Sequence, residues 1–150
     1  MKITKKRVAG LIIALLILIQ FYPIKHSNPP VTSPFDGPQE VNRVFEASCM
    51  DCHSNKTHWP WYSYIAPVSW LVANDVYEGR KELNLSKWGE MTAKRRAKKR
   101  KEVWKEVREG DMPISYYLWV HPGARLSDAQ KEVLRNWSQA PADSARTTIK

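Results

Sequence analysis

The sequence Cys49-Met50-Asp51-Cys52-His53 sets the interpretation of the whole chain. Its spacing is C-x-x-C-H, in which two cysteines stand three positions apart and a histidine follows the second. On one helical turn the two thiols can reach both vinyl groups at one edge of a porphyrin, and the histidine is then directed at the iron. These are the only two cysteines of the 150 residues. The motif therefore predicts one covalently attached haem c, bound through Cys49 and Cys52, with His53 as the proximal iron ligand.

Three other chemistries could use the same residues. A thioredoxin-like dithiol also has C-x-x-C, but that fold needs alternating strands and helices, which the sequence does not indicate. A zinc site of Cys49, Cys52, His53 and His58 lacks the spacer of about a dozen residues that normally separates two ligand pairs. A disulfide between cysteines this close would stabilise little, because the entropic gain grows with the length of the closed loop.

A ligand for the opposite face of the iron must come from distant sequence, and Met112 is the leading candidate. It lies in Gly110-Asp111-Met112-Pro113, where the glycine ends a helix and the proline prevents its resumption. His121, in His121-Pro122-Gly123, is the alternative distal ligand and would give bis-histidine coordination. Alternatively, Met112 has no ligand role and is a core methionine that fills an irregular gap.

The residues after position 38 predict an all-α domain that spans 39–140. Apolar positions indicate a helix from Gln39 to the cysteines and a second from Pro67 to Glu78, ended by Gly79. A third helix is expected between Thr92 and Gly110, and the pair Ser127 and Gln130 predicts the capping box of a last helix. Residues 55–64 and 110–126 show neither strand alternation nor a clear helical period, so they are expected to form irregular loops.

The N-terminus has the pattern of an export signal. Lys2, Lys5, Lys6 and Arg7 precede an apolar run from Val8 to Ile19. Neither an A-x-A cleavage site nor a cysteine for lipidation follows. Residues 1–24 are therefore predicted to be an uncleaved signal anchor that crosses the cytoplasmic membrane once and leaves the domain in the periplasm or outside the cell. Cleavage would instead give a secreted protein.

Two further segments flank the predicted domain. Residues 25–38 contain four prolines together with Ser, Asn, Asp and Gly, which predicts an extended linker. Residues 141–150 are predicted to be a flexible tail.

The charge of the chain is concentrated in one short run. Lys+Arg total 24 and Asp+Glu total 15, and without the four basic residues of the predicted anchor the balance is 20 to 15, or +5. Seven of the eight residues from Lys94 to Lys101 are basic. Such a run is either a solvated helix face or a contact for an acidic protein or an anionic membrane. The predicted location disfavours nucleic acid.

Several motifs together resemble one known family, the small haem-binding-domain proteins of bacteria, which are similar to monohaem class I cytochromes c. The resemblance covers about Val41 to Trp137. Its residues are Cys49-Met50-Asp51-Cys52-His53-Ser54-Asn55, Trp59-Pro60-Trp61-Tyr62-Ser63, Ala66-Pro67-Val68-Ser69-Trp70, Glu78-Gly79-Arg80, Gly110-Asp111-Met112-Pro113, His121-Pro122-Gly123-Ala124-Arg125-Leu126-Ser127 and Trp137.

The resemblance implies a cytochrome-c-like helical fold around a covalent haem, with Met112 as distal ligand. It implies no particular reaction. The aromatic insert from Trp59 to Tyr64 departs from the shortest class I cytochromes. We expect it to pack in the core or to wall the haem, with Trp59 or Tyr62 placed to hydrogen-bond a propionate.

These observations predict a membrane-tethered, periplasmic monohaem cytochrome that is not an enzyme. It would pass single electrons to a redox partner protein that the sequence does not identify. A haem-based sensor, or a haem-binding module without electron transfer, is the main alternative. A thiol oxidoreductase that uses the two cysteines directly is the third.

Overall fold

A computed structural model describes residues 4–141. Every regular element in that range is helical, so the all-α prediction is confirmed for this part of the chain. The α-helices are α1 (Lys5–Leu18), α2 (Gln39–Ser48), α3 (Met50–His53), α4 (Val68–Glu82), α5 (Ala93–Glu109), α6 (Ser115–Val120) and α7 (Asp128–Gln139). The 3-10 segments are Ile19–Phe21, Trp61–Tyr64, Leu85–Glu90 and Pro122–Ala124.

Four aromatic rings form the centre of the core. Phe35 lies edge-on to Phe45, Trp88 and Trp137, at ring-centroid distances of 5.0, 5.3 and 5.7 Å. Edge-to-face pairs add attraction beyond the burial of area, because the positive ring edge meets the negative ring face. Apolar residues of α2, α5 and α7 surround this cluster. The core therefore joins the N-terminal segment to helices that are far apart in sequence.

Helix α2 was predicted from its apolar spacing, and the structure confirms it. Val41, Val44, Phe45 and Ser48 are all buried, at steps of three and four residues. The helix ends at Ser48, so it delivers the chain directly to Cys49.

The predicted ends of the two long C-terminal helices are also confirmed. The Thr92 hydroxyl accepts a hydrogen bond from the Arg95 amide at the start of α5, and Gly110 ends that helix with φ of 83°. Ser127 and Gln130 form both halves of a capping box before α7. Local sequence signals are enough at these ends, because each involves residues within one turn.

Gly79 does not end α4, as the sequence had predicted; the helix continues to Glu82. A Cβ atom at position 79 would lie 2.8 Å from the carbonyl oxygen of Cys52. The close approach of α3 to the side of α4 therefore requires glycine at this position, although glycine inside a helix is less stable than alanine.

The segment 110–126 is less irregular than predicted. It contains α6 and the 3-10 turn Pro122–Ala124. Helix α6 is only six residues long and has no side-chain cap, so it carries no sequence signal of its own. Contacts with α3 and α4, described below, hold it in place.

The predicted N-terminal membrane anchor is wrong. Helix α1 has 14 residues and spans about 21 Å at 1.5 Å per residue, whereas the hydrocarbon core of a bilayer is about 30 Å thick. Across residues 4–141 the structure holds no helix with the length and apolar character needed to cross a membrane. This finding contradicts the predicted anchor, and with it the predicted location as a single-pass inner-membrane protein. Lys2 of the predicted anchor lies outside the described residues.

The end of α1 and the predicted linker both contact the helical domain. The Gln20 side-chain amide donates to the Ala66 carbonyl and accepts from the Ala66 amide, at 3.0 and 2.9 Å. The Phe35 amide donates to the Leu85 carbonyl at 2.8 Å, and the Phe35 ring is part of the core. The segment 25–38 thus lies along the domain instead of holding it at a distance. The predicted tail falls outside the described residues from Ala142 onward.

Replacing Gly79 by alanine is expected to lower the free energy of unfolding by about 1 to 3 kcal/mol, because the methyl group would overpack the contact with the Cys52 carbonyl. Urea unfolding followed by circular dichroism measures the change. Gly10→Ala is the matched control, since Gly10 also lies inside an α-helix and a Cβ atom there meets nothing within 4 Å. Equal stability changes in the two variants would contradict the close approach of α3 and α4.

Candidate functional site

The two cysteines lie at the junction of α2 and α3. Cys49 leaves helical geometry, with φ of −129°, and α3 begins at the next residue. The His53 amide donates to the Cys49 carbonyl at 2.9 Å, which closes a single helical turn over the motif. Both cysteines are half-buried and neither is in a disulfide. The turn predicted for the C-x-x-C-H sequence is therefore present.

A cavity of about 520 Å³ lies between α3, α4 and the segment 112–121. Its volume is within the range of sites for small molecules and cofactors. Apolar side chains form much of its wall, among them Val68, Leu71, Val72, Val76, Ile114 and Val120. All five residues singled out by the sequence also line it: Cys49, Cys52, His53, Met112 and His121. The fold thus brings together residues that are up to 72 positions apart in the chain, from Cys49 to His121.

The His53 imidazole is oriented by the last turn of α4. Its Nδ1 lies 2.9 Å from the Gly79 carbonyl oxygen and 3.2 Å from the Leu83 carbonyl oxygen. Both partners are acceptors, so Nδ1 must carry the proton and Nε2 keeps its lone pair. Burial lowers the pKa of His53, although the two carbonyls act in the opposite direction. A neutral imidazole with a fixed Nδ1–H is the form that binds a metal through Nε2.

The two thiols are in surroundings that keep them protonated. Burial raises the pKa of Cys49 to about 12, with a smaller contribution from Cys52. Burial is also the main reason that the pKa of Cys52 is raised to about 12. The negative charges of Asp75 and Asp51 add to this effect. Dithiol enzymes need a lowered thiol pKa, because the thiolate is the nucleophile. The electrostatics of this site work against that chemistry.

Met112 reaches the cavity from the loop after α5. The amides of Asp111 and Met112 both donate to the Glu106 carbonyl, at 3.0 and 3.2 Å, across the left-handed Gly110. These bonds close the C-terminus of α5 and turn the chain toward the cavity. Met112 therefore lies where the loop geometry had predicted, on the cavity wall.

His121 lies at the other end of α6, and its ring is engaged. Its Nε2 is 2.5 Å from the Tyr62 hydroxyl. The Tyr117 ring stacks on the imidazole, with centroids 4.3 Å apart and an interplanar angle of 17°. The two candidate distal ligands thus flank α6, and only His121 has a hydrogen-bonded side chain.

Two tyrosine hydroxyls attach α6 to the helices α4 and α3. Tyr116 donates to Asp75 Oδ2 on α4, and Tyr117 donates to Asp51 Oδ2 on α3, both at 2.9 Å. Burial raises the pKa of Tyr116 to about 12, and the hydrogen bond to Asp75 contributes to the same shift. Burial also raises the pKa of Tyr117, and the negative charge of Asp51 contributes to the same shift. Sequence analysis missed these four residues, since nothing local links tyrosines on a short helix to distant aspartates.

Of the two roles expected for the aromatic insert, Trp59 packs against a neighbouring ring and does not wall the cavity. It is absent from the cavity wall and packs edge-on against His26, at a centroid distance of 4.7 Å. Tyr62 does line the cavity, but its hydroxyl contacts His121. Of the two residues expected to hydrogen-bond a propionate, Tyr62 is engaged with His121, whereas Trp59 Nε1 is a buried donor without a hydrogen-bond partner in residues 4–141.

The cavity fits a bound group with hydrogen-bonding atoms. Ser48 is buried on its wall, and the serine hydroxyl has no hydrogen-bond partner in residues 4–141. An unpaired buried hydroxyl costs free energy, so a group that fills the cavity and accepts this bond would be stabilised. The donor set of two thiols, one neutral imidazole and one thioether fits a covalently bound haem.

The zinc reading gains no support. His58 is almost fully exposed and contacts Asp51 at 3.7 Å. In the described part of the chain, no group of three or more His, Cys, Asp or Glu residues is arranged to hold a metal ion.

Comparison with known proteins gives one result. A family model described as a haem-binding domain matches residues 14–140, which is most of the chain. No curated protein and no solved structure matches. The resemblance to class I cytochromes c therefore stays a prediction.

Alkylation by iodoacetamide at pH 8 is expected to be at least about tenfold slower in the folded, haem-free protein than in the urea-unfolded chain. Only the thiolate reacts, and burial keeps both thiols protonated. Between pH 8 and 10 the folded protein's rate should rise about tenfold per pH unit, whereas the unfolded chain's rate should level off near the ordinary thiol pKa. Mass spectrometry of quenched samples measures both rates. Equal rates at pH 8 would contradict the protonated thiols.

Proposed function

The chain belongs to the haem-binding domain family, and from that premise we propose that it carries one covalent haem c and transfers single electrons. In this proposal Cys49 and Cys52 form the thioether bonds, His53 is the proximal ligand and Met112 is the distal ligand. When bound, haem supplies a one-electron redox centre. The observation that carries the proposal is the convergence of these four side chains on one cavity.

Covalent attachment is supported by the geometry of α3. The helical turn places both thiols on the same cavity wall, and His53 follows on the same turn. The α4 carbonyls fix the imidazole tautomer, so the ligand nitrogen is prepared before haem binds. The raised thiol pKa values argue against the alternative in which the cysteines exchange disulfides.

Electron transfer is supported by the position of Met112, whose thioether could bind iron, on the cavity wall. If His53 and Met112 both bound the iron, its two axial positions would be filled, which would leave no position for oxygen or peroxide. A sensor or an oxidase would need an open sixth position. We therefore favour an electron carrier over a haem-based sensor and over an enzyme.

Wild-type protein expressed with a cytochrome c maturation system should keep its haem on a denaturing gel, as seen by peroxidase staining. Cys52→Ala should lose the stain, because one thioether bond and the motif are lost. Met50→Ala is the matched control, since Met50 lies between the cysteines but is absent from the wall of this cavity. It should keep the stain. Colourless wild-type protein, or pigment that acidic acetone extracts, would refute covalent attachment.

The partner of such a carrier is expected to be acidic. The first half of α5, residues 93–101, contains seven basic residues and no acidic one. In the second half, Lys105 and Arg108 pair with Glu109. Uncompensated like charges near a helix N-terminus destabilise the helix, because they repel one another and oppose the helix dipole. A binding role would offset that cost.

The basic half adjoins the cavity wall. Lys99 Nζ lies 3.7 Å from Glu82 Oε2, and Glu82 lines the cavity. Within the described residues, no ion pair is formed by Lys94, Arg95, Arg96 or Lys101. These four cations are therefore available to an acidic redox protein.

Electron exchange with an acidic flavodoxin separates this surface from net charge alone. Lys94→Gln/Lys101→Gln should lower the second-order rate constant about threefold or more at low ionic strength. Lys105→Gln/Arg108→Gln removes the same charge from the neutralised half and should change the rate less. Stopped-flow absorbance measures both rates. Equal slowing by the two double variants would contradict a docking role for residues 93–101.

A further inference from the structure

The choice between the two candidate distal ligands depends on their surroundings. Met112 and His121 flank α6, and both line the cavity. Imidazole and thioether would each complete the iron coordination, but they give different reduction potentials. Proximity to the cavity therefore does not decide which side chain binds.

Hydrogen bonding distinguishes the two side chains. His121 Nε2, the ring nitrogen with the longer reach from the backbone, lies 2.5 Å from the Tyr62 hydroxyl. If the hydroxyl donates, the Nε2 lone pair is used; if Nε2–H donates, that nitrogen has no lone pair available. The Met112 thioether accepts no hydrogen bond from any residue of 4–141. Only the methionine can turn to a bound group without breaking an existing bond.

Two further contacts, one of the backbone and one of the ring, hold His121 in place. Its backbone amide donates to the Tyr117 carbonyl at 3.0 Å, and the Tyr117 ring stacks on the imidazole. The Tyr117 hydroxyl is in turn bound to Asp51. His121 is therefore fixed by α6 on one side and by Tyr62 on the other.

We infer that Tyr62 is a positioning residue that holds His121 away from the iron and so leaves the distal position to Met112. This inference rests on the proposed haem site and adds the determinant of its axial ligand. The consequence is a higher reduction potential than bis-histidine coordination would give.

The turn that carries Tyr62 does not depend on the Tyr62 hydroxyl. Ser63 is fully buried, and both its amide and its hydroxyl donate to the Pro60 carbonyl, at 2.9 and 2.7 Å. The Ser63 carbonyl accepts a hydrogen bond from His26 Nε2 at 2.7 Å. Tyr62→Phe should therefore remove the bond to His121 and keep the 3-10 turn Trp61–Tyr64.

The experiment measures the long-wavelength absorption band of methionine-to-iron bonding and the reduction potential in matured holoprotein. Wild type and His121→Ala should show the band, and Met112→Ala should lack it. Tyr62→Phe should lose the band and have a lower potential, because the freed imidazole replaces the thioether. Tyr62→Phe/His121→Ala should regain the band. Tyr64→Phe is the matched control and should match wild type, since Tyr64 stacks on His26 and is absent from the cavity wall.

The outcomes distinguish the positioning role of Tyr62 from the proposed ligation of the haem iron by Met112. Absence of the band in the wild type, or its survival in Met112→Ala, would overturn Met112 ligation and the inference together. With Met112 ligation established, survival of the band in Tyr62→Phe would overturn the inference alone. Loss of the band in Tyr62→Phe without recovery in the double variant would show a purely structural role and would also overturn it.

Discussion

The contact between the His53 imidazole and the last turn of α4 is the constraint on which the site depends. Nδ1 donates to the carbonyls of Gly79 and Leu83, and the Gly79 carbonyl also accepts the Leu83 amide that closes the helix. This contact requires α3 and α4 to approach so closely that residue 79 has no room for a Cβ atom. One set of backbone atoms therefore fixes the imidazole tautomer and holds α3 close against α4.

Arg80 extends the same constraint to the segments on either side. Its guanidinium donates to the Ser54 carbonyl, to the Thr57 hydroxyl, and to Ser27 and Asn28 of the N-terminal segment. The planar group with several fixed donors suits this task better than a lysine would. The residue next to Gly79 thus ties the loop after His53 and the segment before α2 to the same helix. Together with the contacts of Phe35, these bonds hold residues 25–38, despite their prolines, along the domain.

Sequence reasoning succeeded where the signal lies within one helical turn. The Thr92 cap, the left-handed Gly110 and the Ser127 capping box are local, and all three are present. It failed where contacts are distant. Gly79 looks like a helix end until the Cys52 carbonyl beside it is seen, and α6 has no signal without the aspartates that bind its tyrosines.

The N-terminal error has a different origin. Charge followed by apolar residues is a pattern of composition, whereas crossing a bilayer depends on helix length, and α1 ends at Leu18. For the site, the sequence could name Cys49, Cys52, His53, Met112 and His121, and the fold places all five on one cavity. It ranked Met112 above His121 from loop geometry alone and could not foresee that the side chain of His121 is engaged, because the hydroxyl that contacts it is 59 residues away.

Asp51 shows how one short turn organises both sides of the cavity. It lies between the two cysteines, at a position that the C-x-x-C-H pattern leaves unspecified. One carboxylate oxygen accepts the His58 amide and the other accepts the Tyr117 hydroxyl. Through Tyr117 it fixes the ring on which His121 stacks. The turn that supplies His53 thus also helps to hold the His121 imidazole in place, so α3 couples the proposed proximal ligand to the alternative distal one.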